Sequence, residues 1–106
     1  MKEVNFMNIE ISNKAQEELK KVLEQRNSQD KPLRIYIAGI GWGGPSFGMA
    51  LDEQKQDDEL TQVGEFKFVV DKDVKENYNG FYVDYSNEWL RRGFRISLIG
   101  EGSSHC

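Results

Sequence analysis

The hydrophobic pattern of the chain changes period once, and this change restricts the fold more than any other feature of the sequence. Over residues 12–27, SNKAQEELKKVLEQRN, apolar side chains recur at the spacing of one helical face. From Leu33 onward they alternate with a period of two. A single helical stripe followed by alternating segments predicts one long N-terminal helix on a domain made mostly of strands.

Five alternating segments carry one apolar face each, and a shorter one, NIEI, precedes the helix at residues 8–11. The five lie at residues 33–37, 47–51, 66–70, 81–85 and 94–98. One-sided strands are typical of antiparallel or mixed sheets. Residues 71–80 predict a short second helix that an Asn79-Gly80 turn closes. The predicted fold class is therefore α+β, with mostly antiparallel or mixed β-strands in a barrel- or sandwich-like arrangement.

Length, charge and cysteine content exclude several classes of protein. The 106 residues predict a single domain, 1–106. The net charge of −4 argues against nucleic acid as a partner, and no apolar run is long enough to predict a membrane span. The N-terminal residues show no signal-peptide pattern, and a single cysteine excludes an intramolecular disulfide. These features predict a cytoplasmic protein.

A glycine-rich stretch, IAGIGWGGPSFGMALDE at residues 37–53, matches the dinucleotide-binding fingerprint by its letters alone. Gly39, Gly41 and Gly44 spell G-x-G-x-x-G, but that fingerprint requires a helix directly after the loop. Here Pro45 and an alternating segment follow, which indicates a second strand. The stretch therefore predicts a wide glycine turn between two strands. Trp42 is then either a packing anchor or a partly exposed interface residue.

Several segments in the same order resemble the HesB/IscA-like family of A-type iron–sulfur carrier or scaffold proteins, especially its HesB-like branch. ISNKAQEELKKVLEQ is similar to that family's opening helix, and LRIYIAGIGWGGPSFGMALDE to its next two strands and their loop. FVVDKD and VDYSNEWLRRGFRISLIGEGSSHC are similar to its central and closing segments. The resemblance covers about residues 8–106 and implies a HesB-like domain with a flexible tail at about 100–106.

The resemblance also implies a metal site, but this chain has lost most of the family's ligands. The family has one cysteine in the glycine loop and a close pair in the C-terminal tail. Trp42 stands at the loop position and is not a ligand, while the tail pair is reduced to His105 and Cys106. These two residues are the candidate metal ligands, and a symmetric His/Cys site across a homodimer could hold iron or an iron–sulfur cluster. The alternative is an exposed, frayed terminus without metal.

Two functional hypotheses follow from the resemblance. In the first, the protein takes part in iron–sulfur cluster assembly, or carries iron or a cluster, through a degenerate metal site. Its partners would be a second copy and iron–sulfur assembly or recipient proteins. In the second, a divergent member without metal acts as a protein-interaction or small-ligand-binding module, with Trp42 and the glycine loop as the contact surface. Neither hypothesis describes an enzyme. The chain's only histidine and only cysteine lie in the tail, where no rigid scaffold would orient them for catalysis.

Two charged segments have simpler interpretations. The acidic residues between the second and third alternating segments predict a solvated loop, and their spacing does not match an EF-hand. They are Asp52, Glu53, Asp57, Asp58 and Glu59. The segment NEWLRRG predicts a surface loop with solvated Arg91 and Arg92, or a loop that contacts a partner through Trp89 and these arginines.

Overall fold

A computed structural model describes residues 7–28, 30–89 and 91–99 of the chain. In chain order its elements are β1 (Asn8–Ile11), α1 (Asn13–Gln25), β2 (Leu33–Gly41), β3 (Gly44–Leu51), β4 (Glu59–Val63), β5 (Phe66–Val70), α2 (Lys72–Asn77), β6 (Gly80–Glu88) and β7 (Arg91–Leu98). The predicted α+β class is confirmed, with a 13-residue first helix and a short second one.

The described strands form two mixed sheets. One has the order β1-β6-β7 and the other the order β3-β2-β5-β4. The β1–β6 and β2–β5 pairs are parallel, and the β2–β3, β4–β5 and β6–β7 pairs are antiparallel. The sheets also touch at both pairs of outer strands, since β3 contacts β7 and β1 contacts β4. The arrangement is a sandwich whose edges approach each other.

The alternation seen in the sequence produces the core. The inward positions of β5 and β6, Phe68, Phe81 and Val83, are fully buried together with Leu19 of α1. Leu23, further along the helical stripe, is also buried. Burying such side chains contributes about 1.5–3 kcal/mol each before conformational entropy is counted. The helix therefore covers the sheets with the stripe that its periodicity predicts.

Ser12 ties the start of α1 to β6. Its Oγ accepts a hydrogen bond from the Ala15 amide (3.1 Å) and donates one to Asp84 Oδ1 (2.7 Å). Its own amide donates to the Val83 carbonyl (2.9 Å). The Ser12 hydroxyl, followed by the Tyr85 amide, holds the pKa of Asp84 below its ordinary value. An N-cap residue thus fixes the helix on the central strand of its sheet.

Two local predictions are wrong. The predicted acidic loop is wrong at its last residue, because Glu59 begins β4, a strand that the sequence did not predict. The buried inward residue of β4 is Thr61, whereas Leu60 is exposed. A polar residue at the inward position hides the strand's alternation. Asn79 and Gly80 do not form a turn that closes α2, because Gly80 is the first residue of β6 and pairs with Asn8 of β1.

Candidate functional site

The glycine-rich stretch forms a tight hairpin rather than the predicted wide turn. β2 runs to Gly41 and β3 begins at Gly44, so only Trp42 and Gly43 connect them. Gly44, the first residue after this two-residue connection, has φ +102°. Residues with a side chain rarely adopt this conformation, so the position requires glycine. Trp42 is fully exposed at the turn, with a relative accessibility of 105%. Among the described residues it is not a packing anchor.

A β-bulge separates the hairpin's buried base from its exposed end. Ile37 pairs with Phe47, but the next pair is Gly39 with Ser46, so Ala38 is the extra residue. Beyond the bulge, Ile40 pairs with Pro45 and is 79% exposed. The hairpin end thus presents apolar side chains without covering any of the described core.

The relative direction of β3 and β7 places this turn at a defined end of the domain. The Phe47 ring lies 4.8 Å from that of Phe81, which pairs with Leu98 at the end of β7. Further along β3, Leu51 lines the same groove as Phe94, closer to the start of β7. The two strands therefore run in opposite directions. The Trp42 turn lies at the end of the domain where the chain leaves β7 toward its last residues.

The predicted ligands His105 and Cys106 lie outside the described residues. Within the ranges 7–28, 30–89 and 91–99, no three His, Cys, Asp or Glu side chains come together in an arrangement that could hold a metal ion. The hairpin itself offers no donor side chain at Trp42.

The base of the hairpin holds an ion-pair cluster that the sequence did not predict. Arg34 of β2 donates from Nε to Asp52 Oδ2 (2.7 Å) and from Nη2 to Asp58 Oδ2 (2.5 Å). The Arg34 and Asp58 side chains are only 14% and 5% exposed. Asp58 also accepts from the Lys55 amide (2.7 Å), which holds the intervening loop against the sheet. The prediction of a solvated acidic loop is thus wrong for Asp58.

The cluster keeps its carboxylates ionised. The pKa of Asp58 is lowered chiefly by its hydrogen bonds from Arg34, against an opposing effect of burial. The pKa of Asp52 is lowered most by the Glu53 amide and next by Arg34. The same pairs raise the pKa of Arg34, with the hydrogen bond to Asp58 as the largest cause. All three groups stay charged at neutral pH, and their role is to fix the β3–β4 loop.

Asp58→Asn is expected to lower the free energy of unfolding by about 2 kcal/mol at pH 7, because a hydrogen-bonded charge is lost beside a largely buried guanidinium. A lowered folded-state pKa stabilises the fold above the unfolded value, about 3.9, and this stabilisation is lost as the pH falls through the folded value. Urea unfolding should therefore show a smaller difference in the free energy of unfolding between the wild type and Asp58→Asn at pH 3 than at pH 7. Asp57→Asn, at an exposed residue with φ +75°, is the control and should match the wild type at both.

A groove of about 380 Å³ lies between α1, β3 and β7, and the sequence did not predict it. It is lined by Leu19, Val22, Arg26, Leu33, Met49, Ala50, Leu51 and Phe94. Its size is within the range of small-molecule sites, but only Arg26 brings a charged or polar side chain to it. Such sites usually combine several convergent polar groups, so this lining gives little support to the small-ligand hypothesis.

The NEWLRRG segment is mostly strand rather than loop. β6 runs through Glu88 and β7 starts at Arg91, so the predicted surface loop is shorter than expected. Trp89 is 83% exposed beside this connection. Since β3 and β7 run in opposite directions, Trp89 and Trp42 lie at opposite ends of the domain.

Similarity to known proteins covers nearly the whole chain. It is 30% identical over 105 residues to the "Uncharacterized protein in nifU 5'region" of Rhodobacter capsulatus, covering 92% of this chain and 99% of that protein. It is 28% identical over 97 residues to the iron–sulfur cluster insertion protein ErpA of Wigglesworthia glossinidia brevipalpis, covering 91% and 85%. The crystal structure of IscA with the [2Fe-2S] cluster matches with a TM-score of 0.66 at 25% identity, over 86% of this chain and 82% of that one.

These similarities define the class of protein to which the fold belongs. The two mixed sheets and helices are those of the IscA and SufA structures. The chain belongs to the HesB/IscA-like family of A-type iron–sulfur carrier and scaffold proteins. No protein-family model matches it. The family resemblance expected from the sequence is confirmed.

Proposed function

We propose that this protein works in iron–sulfur cluster assembly, holding iron or a cluster and passing it to recipient proteins without catalysing turnover. The names of its relatives support this, since several are iron–sulfur cluster insertion proteins. Within the described residues, no helix is long and apolar enough to span a membrane. The proposal places the carrier in the cytoplasm.

The observation that carries the proposal is the position of the β2–β3 turn. The family's loop cysteine would stand at Trp42, and this turn lies at the end of the domain where β7 ends. His105 and Cys106 follow β7 in the sequence. A hairpin turn and a tail that start from the same end of a domain can contribute to one site. The position of the turn supports a loop-and-tail site in which Trp42 takes the place of the family's loop ligand.

The remaining donors suit a soft metal only when two chains combine. Each chain supplies one thiol and one imidazole, Cys106 and His105, and two ligands are too few for a closed tetrahedral site. Two copies supply two thiolates and two imidazoles. Mixed Cys and His ligation occurs in some [2Fe–2S] centres, so iron or a cluster is a chemically suitable cargo. The proposed site is therefore degenerate and shared between two copies.

Anaerobic reconstitution with iron and sulfide tests this proposal. The full chain is expected to retain iron and a visible chromophore after desalting, and Cys106→Ser should lose most of both because it removes the chain's only thiolate. Metal analysis and absorbance spectroscopy provide the measurements. Retention of equal iron by Cys106→Ser would assign the wild-type signal to unspecific binding.

The second candidate is an interaction module without metal. Full exposure of Trp42, together with Ile40 beside it, favours this candidate, since exposed aromatic residues on a rigid hairpin are typical of contact surfaces. The same reconstitution separates the two functions. Absence of bound iron under these conditions would exclude the carrier and leave the interaction module.

A further inference from the structure

The groove between α1, β3 and β7 is a surface that the proposed function does not use. Its lining is apolar apart from one side chain, and it includes Val22 of α1, Met49 of β3 and Phe94 of β7. Met49 and Phe94 pack against the core but remain partly exposed. An apolar cavity of about 150 Å³ can bind a benzene molecule. The groove, at about 380 Å³, therefore has room for at least two large apolar side chains.

Arg26, the C-cap residue of α1, brings the only charge to the described lining of this groove. It makes none of the side-chain ion pairs found among the described residues, whereas Asp52 and Asp58 hold the Arg34 guanidinium. No described Asp or Glu lines the groove, although the chain has a net charge of −4. The groove is therefore a locally positive surface on an acidic protein, and its cation is available to an acidic group.

β7 carries a second arginine close to the groove. Arg92 is exposed and lies two residues before Phe94. The Asn87–Arg92 and Tyr85–Phe94 pairs follow each other in an unshifted antiparallel register. Alternate residues of a strand point to the same face, so Arg92 lies on the face of β7 that contributes Phe94 to the groove, about 7 Å further along the strand. Arginines from α1 and β7 thus accompany the apolar lining.

Shape and charge together indicate what binds there. A small ligand would need several convergent polar groups, which the lining lacks. A helix of another protein does not need them, because it satisfies its own backbone hydrogen bonds and can place apolar side chains at positions i, i+3 and i+4 into a hydrophobic groove. Acidic residues beside those positions would pair with Arg26 and Arg92. We infer that this groove binds an acidic amphipathic helix of a partner protein.

The position of the groove separates this contact from the β2–β3 turn. Leu51 and Phe94, which line the groove, lie at the end of β3 and near the start of β7, away from Trp42. A helix bound in the groove therefore leaves the turn accessible. Identifying the partner as a protein that gives or receives the cargo rests on the proposed function, whereas the chemistry of the bound helix does not.

Selection of random peptides displayed on phage tests the inference, with the full chain in EDTA and reductant as the target. The enriched peptides are expected to carry apolar residues at helical spacing and a net negative charge, and a synthetic copy should bind with a micromolar Kd by calorimetry. Arg26→Glu should raise this Kd at least about tenfold, because it reverses the charge that faces the acidic residues. Lys14→Glu is the matched control, since it makes the same change on an exposed residue of α1 about 18 Å away, and at physiological salt it should change the Kd less than about twofold.

A second measurement guards against misfolded variants. In the wild type, the synthetic peptide should shift the amide NMR signals of Val22, Met49 and Phe94 and leave those of the Trp42 turn unchanged. Failure to enrich any peptide, enrichment of basic or uncharged peptides, or equal binding by Arg26→Glu would overturn the inference, as would shifts centred on the turn. EDTA removes iron, so a negative result here leaves the carrier proposal intact. Failure to retain iron on reconstitution would likewise leave the groove's partner unaffected.

Discussion

Gly80→Ala is expected to lower the free energy of unfolding by about 3 kcal/mol, at the upper end of the usual cost of overpacking. Gly80 is buried where β1 and β6 run in parallel, and it pairs with Asn8. A methyl group on Gly80 would overlap the carbonyl oxygen of Asn8 and lie 2.8 Å from its Cβ. The overlap with the oxygen involves backbone, so a rotamer change cannot relieve it. The Gly80 carbonyl also accepts the Ile99 amide at 3.0 Å, which limits movement in the other direction.

Gly43→Ala provides the matched control for this loss of stability. Gly43 lies in the exposed β2–β3 turn, has no positive φ, and has no neighbouring atom within 4 Å of an added Cβ. Its substitution should change the stability by less than about 0.5 kcal/mol. Urea unfolding of both variants gives the comparison, with circular dichroism to confirm the fold. Similar stabilities for the two variants would show that β1 and β6 can separate easily at Gly80.

Hydrophobic periodicity predicted much of this fold because burial follows it closely. The stripe containing Leu19 and Leu23 faces the core as expected, and so do Phe68 and Phe81. The position of β1 beside β6 could not be read from the pattern. That parallel pair joins segments far apart in the chain, and Gly80, which permits their close approach, resembles a turn residue in sequence.

The candidate site was less predictable because its key contacts join distant residues. Nothing in the sequence pairs Arg34 with Asp58, which lies 24 positions further along and was interpreted as part of a solvated loop. The glycine-rich stretch predicted a turn between two strands but not its length, because turns of several lengths can accommodate the same glycines. Only the resemblance placed Trp42 at the position of the family's loop cysteine. Its full exposure is a property of the folded hairpin.

Trp42→Cys is expected to convert weak or partial iron–sulfur binding into about one [2Fe–2S] cluster per dimer under anaerobic reconstitution. The substitution adds one thiolate to each chain, so that two copies supply four together with Cys106, the usual ligand number for such a cluster. Because Trp42 is fully exposed and its neighbouring glycines have open space around them, removing the indole should leave the hairpin intact. Iron and sulfide analysis, with the visible absorbance of the cluster, measures the gain.

Trp89→Cys separates the effect of position from that of an added thiol. Trp89 is also an exposed tryptophan beside a hairpin connection, but it lies at the opposite end of the domain. A thiol there should add no stable cluster, because Trp89 lies at the end of the domain opposite to the end of β7, after which Cys106 follows in the sequence. Combining Trp42→Cys with Cys106→Ser should abolish the gain, since it halves the number of thiolates in the dimer. Equal cluster binding by the Trp42→Cys and Trp89→Cys variants would contradict a site built from the β2–β3 turn and the tail. A gain confined to Trp42→Cys would show that the fold has the geometry for a cluster even though Trp42 stands at the position of the family's loop cysteine.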